Sequence, residues 1–398
     1  MCPPVKRKAL VRQSKSEASI PLARPFAFEQ EIAAVEEVLK SGWWSTGPAV
    51  GQFEKEVCEY LGGGLEAVGL SSCTAGLFLS LKALGIGAGD EVLVPTLTFA
   101  ATSHVVEWCS ATPILCDIDP QTLNLSVSSM KERVSKNTRA IIPVHIAGYP
   151  CEMDTIMEFA RTHNLAVIED AAHGIGTSYK NTKIGHHGDC VVFSFYATKN
   201  LACGEGGMVV SKDKSLLEKI RSLAYFGIDK KAYEQYEGRG SWYYQIRDLG
   251  YKFNLDQIHA ALGRVQLRGL EQKNSRRRYI ADRYDTGINT AIKRPVYDKM
   301  HTHSRHLYPI LLPNGMDRDH FISCLKNRGI GTSVHFIPLH RHSYFADRWD
   351  ACNFPSAESI ADGLVSLPMF PELDDTEVSR VIEGVNMVWE EGHHGYAY

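Results

Sequence analysis

The chain has 398 residues, 44% of them hydrophobic and 22% charged, an ordinary profile for a soluble globular protein. Its 43 Lys and Arg against 46 Asp and Glu leave a formal net charge of -3. That balance argues against a polybasic nucleic-acid binder or membrane-surface protein, and no apolar run reaches bilayer-spanning length.

The first stretch, MCPPVKRKALVRQSKSEAS, is basic and lacks the apolar middle of a signal peptide. It reads as a disordered tail, bounded at residues 1–20, with an organelle-targeting peptide as the alternative. The ten cysteines form no C-x-x-C pair and read as reduced thiols of a cytoplasmic protein. From residue 21 the pattern is regular. EQEIAAVEEVLKSG (29–42) puts Ile32, Val35 and Leu39 on one helical face and stops at Gly42. Runs of strand length follow at 91–95, 113–119, 140–146, 166–170, 191–195 and 207–210. Several are continuously apolar, which predicts strands buried on both faces. Helical stretches at 74–84 and 153–164 lie between them, so the reading is an α/β protein with a large, mainly parallel sheet.

After about residue 255 the texture changes. Residues 256–288 read as one long helix, straight or bent, 306–312 and 331–336 as strands, and 317–329 as a helix between those strands. The division expected is a large domain over 21–260 and a smaller C-terminal α/β domain over 261–398.

Ligands of open parallel sheets sit beyond the carboxyl ends of the strands, and three features fall there. GLSSCTAGLFLSL (69–81) leads small and hydroxyl residues into a helix start, whose free N–H groups would cradle a phosphate; a plain N-cap is the alternative. VIEDAAHGIG (167–176) ends a strand on Glu169 and Asp170, followed by His173. A carboxylate there needs a cation or several donors, either a turn to cap or the protonated ring nitrogen of a cofactor. SFYATKNLACGEGG (194–207) carries Lys199, 29 positions after Asp170, so one more crossover would bring both to the same edge. A phosphate cradle, a carboxylate and a lysine amine are the parts that hold pyridoxal phosphate (PLP). Phe99, in PTLTFAAT (95–102), is placed after another strand to cover the ring. GEGG (204–207) is either a close backbone approach or a tight turn.

Taken in this order, these blocks resemble the DegT-type family of PLP-dependent sugar-nucleotide aminotransferases, from about Pro21 to about residue 390. The resemblance includes SSCTAGLFLSLKALGIGAGDEVLVPTLTFAAT, VIEDAAHGIGTSYKNTKIG, FSFYATKNLACGEGGMVV, LGYKFNLDQIHAALGRVQL and GIGTSVHFIPLH. GYKFN and SSCTAG look most like the UDP-4-amino-4-deoxy-L-arabinose aminotransferase branch. The resemblance implies fold-type I, the aspartate aminotransferase-like architecture, and a homodimer whose active site is shared between subunits.

It also implies roles. Lys199 matches the Schiff-base lysine, Asp170 the pyridine-nitrogen carboxylate, and His173 a position near the ring. Cys73, Thr74 and Ser194 match the phosphate side, and Phe99 the stacking aromatic. Lys252 stands where many members have an asparagine that reaches the neighbouring subunit's cofactor phosphate, and Asn254 lies two residues on, so either could serve. Thr46, in the WWSTGP loop, His335 and Arg24 are substrate-side candidates, with a surface ion pair the alternative for Arg24. A dehydratase branch carries histidine in place of the lysine, so Lys199 favours transamination of a keto sugar nucleotide, with glutamate as donor. A PLP lyase or desulfurase and a non-catalytic homologue are the competing readings. HTHSRH (301–306) fits no zinc spacing and reads as a polar loop, and no metal is expected.

Overall fold

The computed structural model describes residues 19–229 and 244–395. Most of the basic tail therefore lies outside the described residues. Helix α1 spans Glu29–Ser41 and α2 Pro48–Leu61, with a proline in the first turn of α2, where a missing N–H does no harm. Seven strands then build one sheet: β1 Glu66–Leu70, β2 Glu91–Pro95, β3 Thr112–Cys116, β4 Thr138–Ile141, β5 Ala166–Ala171, β6 Cys190–Ser194 and β7 Gly207–Ser211. Their spatial order is β1-β7-β6-β5-β4-β2-β3. Strand β7 runs antiparallel to both neighbours and every other pair is parallel.

Alternation along the strands feeds two cores. Val92, Val94 and Val192 face one side, packed by α3 Cys73–Ala83, α4 Ala101–Trp108 and, beyond β7, α7 Lys214–Leu223. Leu93, Val191 and Phe193 face the other, under α2, α6 Met153–His163 and α8 Gln257–Arg268. A short helix, α5 Val127–Arg133, lies between β3 and β4. Cover on both faces is the reason these strands read as unbroken apolar runs.

A third core joins α9 Leu270–Gly287, the antiparallel pair β8 Tyr308–Leu311 and β9 Leu364–Leu367, α10 Arg318–Asn327 and the C-terminal helix Asp375–Gly395. Several expectations change here. The long helix over 256–288 takes its bent form, as two helices that meet at Gly269, and α8 packs with α1 and α2 of the large unit. Beyond Gly269, α9 turns Ile280, Ala281 and Tyr284 into the third core. Ile20, assigned to the tail, is fully buried in the third core, where its backbone pairs with Gly329 and Gly331. Residues 331–336 form no regular strand; β9 takes that place, and Ser333 makes a single bridge to it. The run 140–146 is regular strand only as far as Ile141; beyond Pro143, which has no N–H to give the ladder, the pairing with β5 continues as a single bridge, Val144 to Asp170.

The apolar stripe of α1 does not face the core. Ile32 is 60% and Leu39 46% exposed, while Glu31 is buried. Glu31 accepts hydrogen bonds from Phe28 N and Gln266 Nε2, which turns its face inward against α8.

Candidate active site

The carboxyl ends of the parallel strands open into a cavity of about 510 Å³. Cys73 and Thr74 enter it from the start of α3, Phe99 from the turn after β2, Asp170 and His173 from β5 and its turn, and Ser194 and Lys199 from β6 and its turn. His306, His335 and Phe336, from the C-terminal part of the chain, line its other side. Eight of the twelve residues singled out in the sequence thus line one space.

Asp170 is buried at the end of β5. Its Oδ1 accepts from Ala172 N (3.1 Å) and its Oδ2 from Thr102 Oγ1 (2.9 Å). The Thr102 proton is committed to Asp170, so Thr98 Oγ1 donates to Thr102 Oγ1 (2.9 Å). Burial raises the Asp170 carboxyl above its ordinary range, against the pull of these donors and of the Lys199 charge. Its neighbour Glu169 points to the opposite face, as strand alternation requires. There His145 Nδ1 accepts from Cys151 N (3.0 Å), so the ring proton sits on Nε2 and is donated to Glu169 (2.8 Å). Burial is the largest single influence and works to raise Glu169, but the bond to His145, the charges of His145 and His187 and the N–H of Gly188 together hold the carboxyl low.

Lys199 follows the buried run 191–195 and is partly buried. Burial pushes its amine down to about 8, with Cys73 and Asp170 opposing the shift. An amine in that range is available as a free base near neutral pH, as nucleophile or proton carrier.

Helix α3 begins at Cys73 behind its cap, Ser72, whose Oγ accepts from Ala75 N (3.0 Å) while Ser72 O accepts from Gly76 N (3.2 Å). The N–H groups of Cys73 and Thr74 precede these bonds and have no intrahelical partner, which suits an anion. Gly207 presses on the same helix start: a Cβ there would lie 2.4 Å from Cys73 N and from Ser72 C. The GEGG stretch is therefore a close backbone approach. Cys73 turns its thiol to Val192 O (3.7 Å) and Asp170 Oδ1 (4.0 Å), and burial raises that thiol well above its usual value.

The imidazole of His173 is buried, and its Nδ1 has no hydrogen-bond partner among the described residues. Burial, then the charges of Lys199 and His335, hold it well below the ordinary histidine range. His335 is lowered to about 4 by burial and by Lys199, and its Nδ1 meets Ser366 Oγ at 3.0 Å. Phe99 is 64% exposed, with its ring 6.0 Å from that of Phe336.

Four candidates lie elsewhere. Asn254 Nδ2 donates to Thr46 Oγ1 (3.1 Å), Lys252 Nζ donates to Asn254 Oδ1, and the Lys252 amine sits 4.4 Å from the centre of the Tyr225 ring. Thr46 and Asn254 border a second cavity of about 380 Å³. Arg24 pairs with Glu377 (3.6 Å) and lies over the Phe370 ring, so the ion-pair reading describes it.

Thr102 and His306 are among the lining residues that the sequence reading did not single out. Thr102 lies one helical turn beyond Phe99, and nothing in PTLTFAAT marks it apart from the other threonines. His306 belongs to the segment expected to be a polar loop, yet His301, His303 and His306 are all buried. Three histidines before an apolar strand were the one available signal. Among the described residues no cluster suited to a metal ion is present.

A helix-start anion cradle, a buried carboxylate and a depressed lysine amine around one cavity fit PLP, and the sheet with its smaller C-terminal unit has the fold-type-I architecture. The fold and site define the class of PLP-dependent aminotransferases. Residues 26–386 match the model of the DegT/DnrJ/EryC1/StrS aminotransferase family, and the chain belongs to that family. It is 43% identical over 374 residues to SpsC, a spore coat polysaccharide biosynthesis protein of Bacillus subtilis (strain 168), covering 92% of this chain and 96% of that protein. Among solved structures, Spr1654 of Streptococcus pneumoniae in its apo form superposes with a TM-score of 0.89 at 30% identity, covering 96% of this chain and 100% of that one. Spr1654 is also solved in PMP and PLP forms. Helicobacter pylori PseC, an aminotransferase involved in the biosynthesis of pseudoaminic acid, superposes with a TM-score of 0.87 at 26% identity, covering 94% of this chain and 100% of that one.

Proposed function

We propose that this protein transfers an amino group from glutamate to a keto sugar nucleotide, a 4-keto hexose or pentose, giving an amino sugar nucleotide. The observation that carries the reading is the meeting of Lys199, Asp170 and the α3 start in one cavity. In this reading the Lys199 amine would hold PLP covalently and, as a free base, would carry the proton at the reacting carbon. Asp170 keeps the ring nitrogen protonated, which lets the ring act as an electron sink. The N–H groups of Cys73 and Thr74, with Ser194, hold the phosphate; Phe99 and His173 border the ring.

The working unit is a homodimer in the cytoplasm. Its support is the exposed α1 stripe and the Thr46–Lys252–Asn254 cluster, which lies outside the chain's own cavity and is free to complete a second copy's site. His335 is on the substrate side of the cavity; the Glu377 pairing of Arg24 favours a structural use. A desulfurase would need an activated thiolate at the site, and the buried Cys73 thiol is shifted the other way.

Two measurements test this. Borohydride reduction of the PLP-loaded protein should fix the label on Lys199 by peptide mass spectrometry, and Lys199→Ala should lose nearly all turnover, ~10²–10⁴-fold from lost proton transfer alone, with its fold intact. Label elsewhere, or full activity in the variant, would sink the assignment. A screen of 4-keto and 3-keto sugar nucleotides with glutamate, read by mass spectrometry, then identifies the acceptor. UDP-linked 4-keto pentose is the first to try.

A further inference from the structure

His306 lines the cavity from the C-terminal unit and is buried. Its ring centre lies 4.4 Å from that of His173, with the planes 37° apart, and Phe336 stacks on the same imidazole at 6.1 Å and 19°. His173 Nδ1 makes no hydrogen bond, so no bond at that atom sets the angle of its ring. Ring contacts have to do so.

What orients His306 can be read from its neighbours. Asn200, the residue after Lys199, donates from Nδ2 to Ser304 O (2.9 Å) and to Asn274 Oδ1 (2.8 Å). The carbonyl of Ser304 can only accept, which fixes the amide's orientation and commits both of its protons. The Asn200 atom facing His306 Nδ1 at 3.0 Å is therefore its oxygen. An amide oxygen only accepts, so His306 carries its proton on Nδ1. Burial, His173 and the Lys199 amine all keep a second proton off the ring. The same clamp reaches His173 by another route: Ser304 Oγ donates to His173 O (2.9 Å). Gly148 leaves room for it, since a Cβ there would lie 2.1 Å from Ser304 Oγ.

We propose that His306 is a positioning residue: held through its Nδ1–H by Asn200, it fixes the plane of the His173 imidazole at the edge of the cofactor pocket. The inference rests on the reading of that pocket as the PLP site. His306 acts through His173 and need not touch a reacting atom. Because Asn200 adjoins Lys199, the clamp also ties the lysine's turn, α9 and the 304–306 segment into one hydrogen-bonded unit.

The test compares His306→Asn, which can return an N–H donor to the Nδ1 position, with His306→Gln, whose amide falls nearer the Nε2 position and leaves the Asn200 oxygen unpaired. Both are made in the full chain, loaded with PLP and matched for melting temperature. In two-bond ¹H–¹⁵N spectra of histidine-labelled protein, an Nδ1–H tautomer signal present in wild type should vanish in both variants, while that of His163, whose Nδ1 faces Phe159 O at 2.9 Å, remains. The visible absorbance maximum of the loaded protein should stay at the wild-type position in His306→Asn and move in His306→Gln. Bleaching of that absorbance by L-glutamate should slow ~10–100-fold in His306→Gln, the scale of a small misplacement, and recover towards wild type in His306→Asn. An Nε2–H tautomer at position 306, or two variants that match wild type or lose equally, would overturn the proposal. If wild type takes up no PLP, the cofactor reading fails instead; if it binds PLP without responding to glutamate, the donor reading fails. The tautomer signal judges the clamp in either case.

Discussion

An ammonium group in a cavity bordered by Leu77, Phe99 and Phe336 is poorly solvated, and Lys199 gives up part of its basicity for that reason. The consequence for stability has a definite sign. The amine titrates near 10.5 in the unfolded chain and near 8 in the folded one. Below pH 8 both states are protonated and the folded state carries the full burden of the buried charge. Between pH 8 and 10.5 the folded state sheds its proton first and stability is regained. Cofactor-free Lys199→Met should therefore be more stable than cofactor-free wild type at pH 7, by on the order of 2 kcal/mol after allowing for partial exposure. The gap should close as pH rises from 8 towards 10.5. Urea melts at several pH values measure it; a gap independent of pH would show that Lys199 is not the group responsible.

Elements bring these residues together by contact between backbones. The start of α3 can hold an anion because β7 runs directly against it, and that closeness depends on Gly207 having no side chain. Gly207→Ala would drive a methyl into the peptide joining Ser72 and Cys73, where no flexible side chain can yield. The expected result is a loss of ~1–3 kcal/mol in stability, the scale of an overpacked core, with a larger proportional loss of PLP affinity than of secondary structure. Fluorescence titration with PLP and thermal melts separate the two. Unchanged PLP affinity would mean that the helix start is not the phosphate cradle. The break at Gly269 also belongs to this scale: it lets α8 serve the large unit while α9 serves the third core.

For the whole molecule, the exposed side chains of Phe28, Ile32, Leu39, Trp43 and Trp44 form an apolar run along and after α1. A helix normally buries its apolar stripe, and here Glu31 has taken the inward face instead. Under the dimer reading this stripe is covered by a second copy. Ile32→Glu with Leu39→Glu should then give a monomer by sedimentation at micromolar concentration. It should also lose most of its activity, since Thr46, Lys252 and Asn254 would no longer reach another subunit's site. A double variant that remains dimeric would remove α1 from the interface.

Much of this protein was legible before any fold was known, because some properties are carried by local order. The buried strands announce themselves as continuous apolar runs, and Asp170 and Lys199 stand out as charges at their ends. Ser72 precedes a helix that needs a cap. Other properties depend on which distant segment arrives, and no local pattern encodes that. His306 resembles any histidine of a polar loop until Asn200 and His173 pack against it. Thr102 gains its role only when α4 sets it over Asp170. Ile32 reads as core from its spacing, and only the docking of α1 on α8 through Glu31 leaves it exposed. Sequence determined the strands and the charges at their ends, since both follow from the local balance of apolar burial and charge solvation. Tertiary structure alone decided which polar groups share the cavity, because a hydrogen bond between residues a hundred positions apart exists only once the chain has folded.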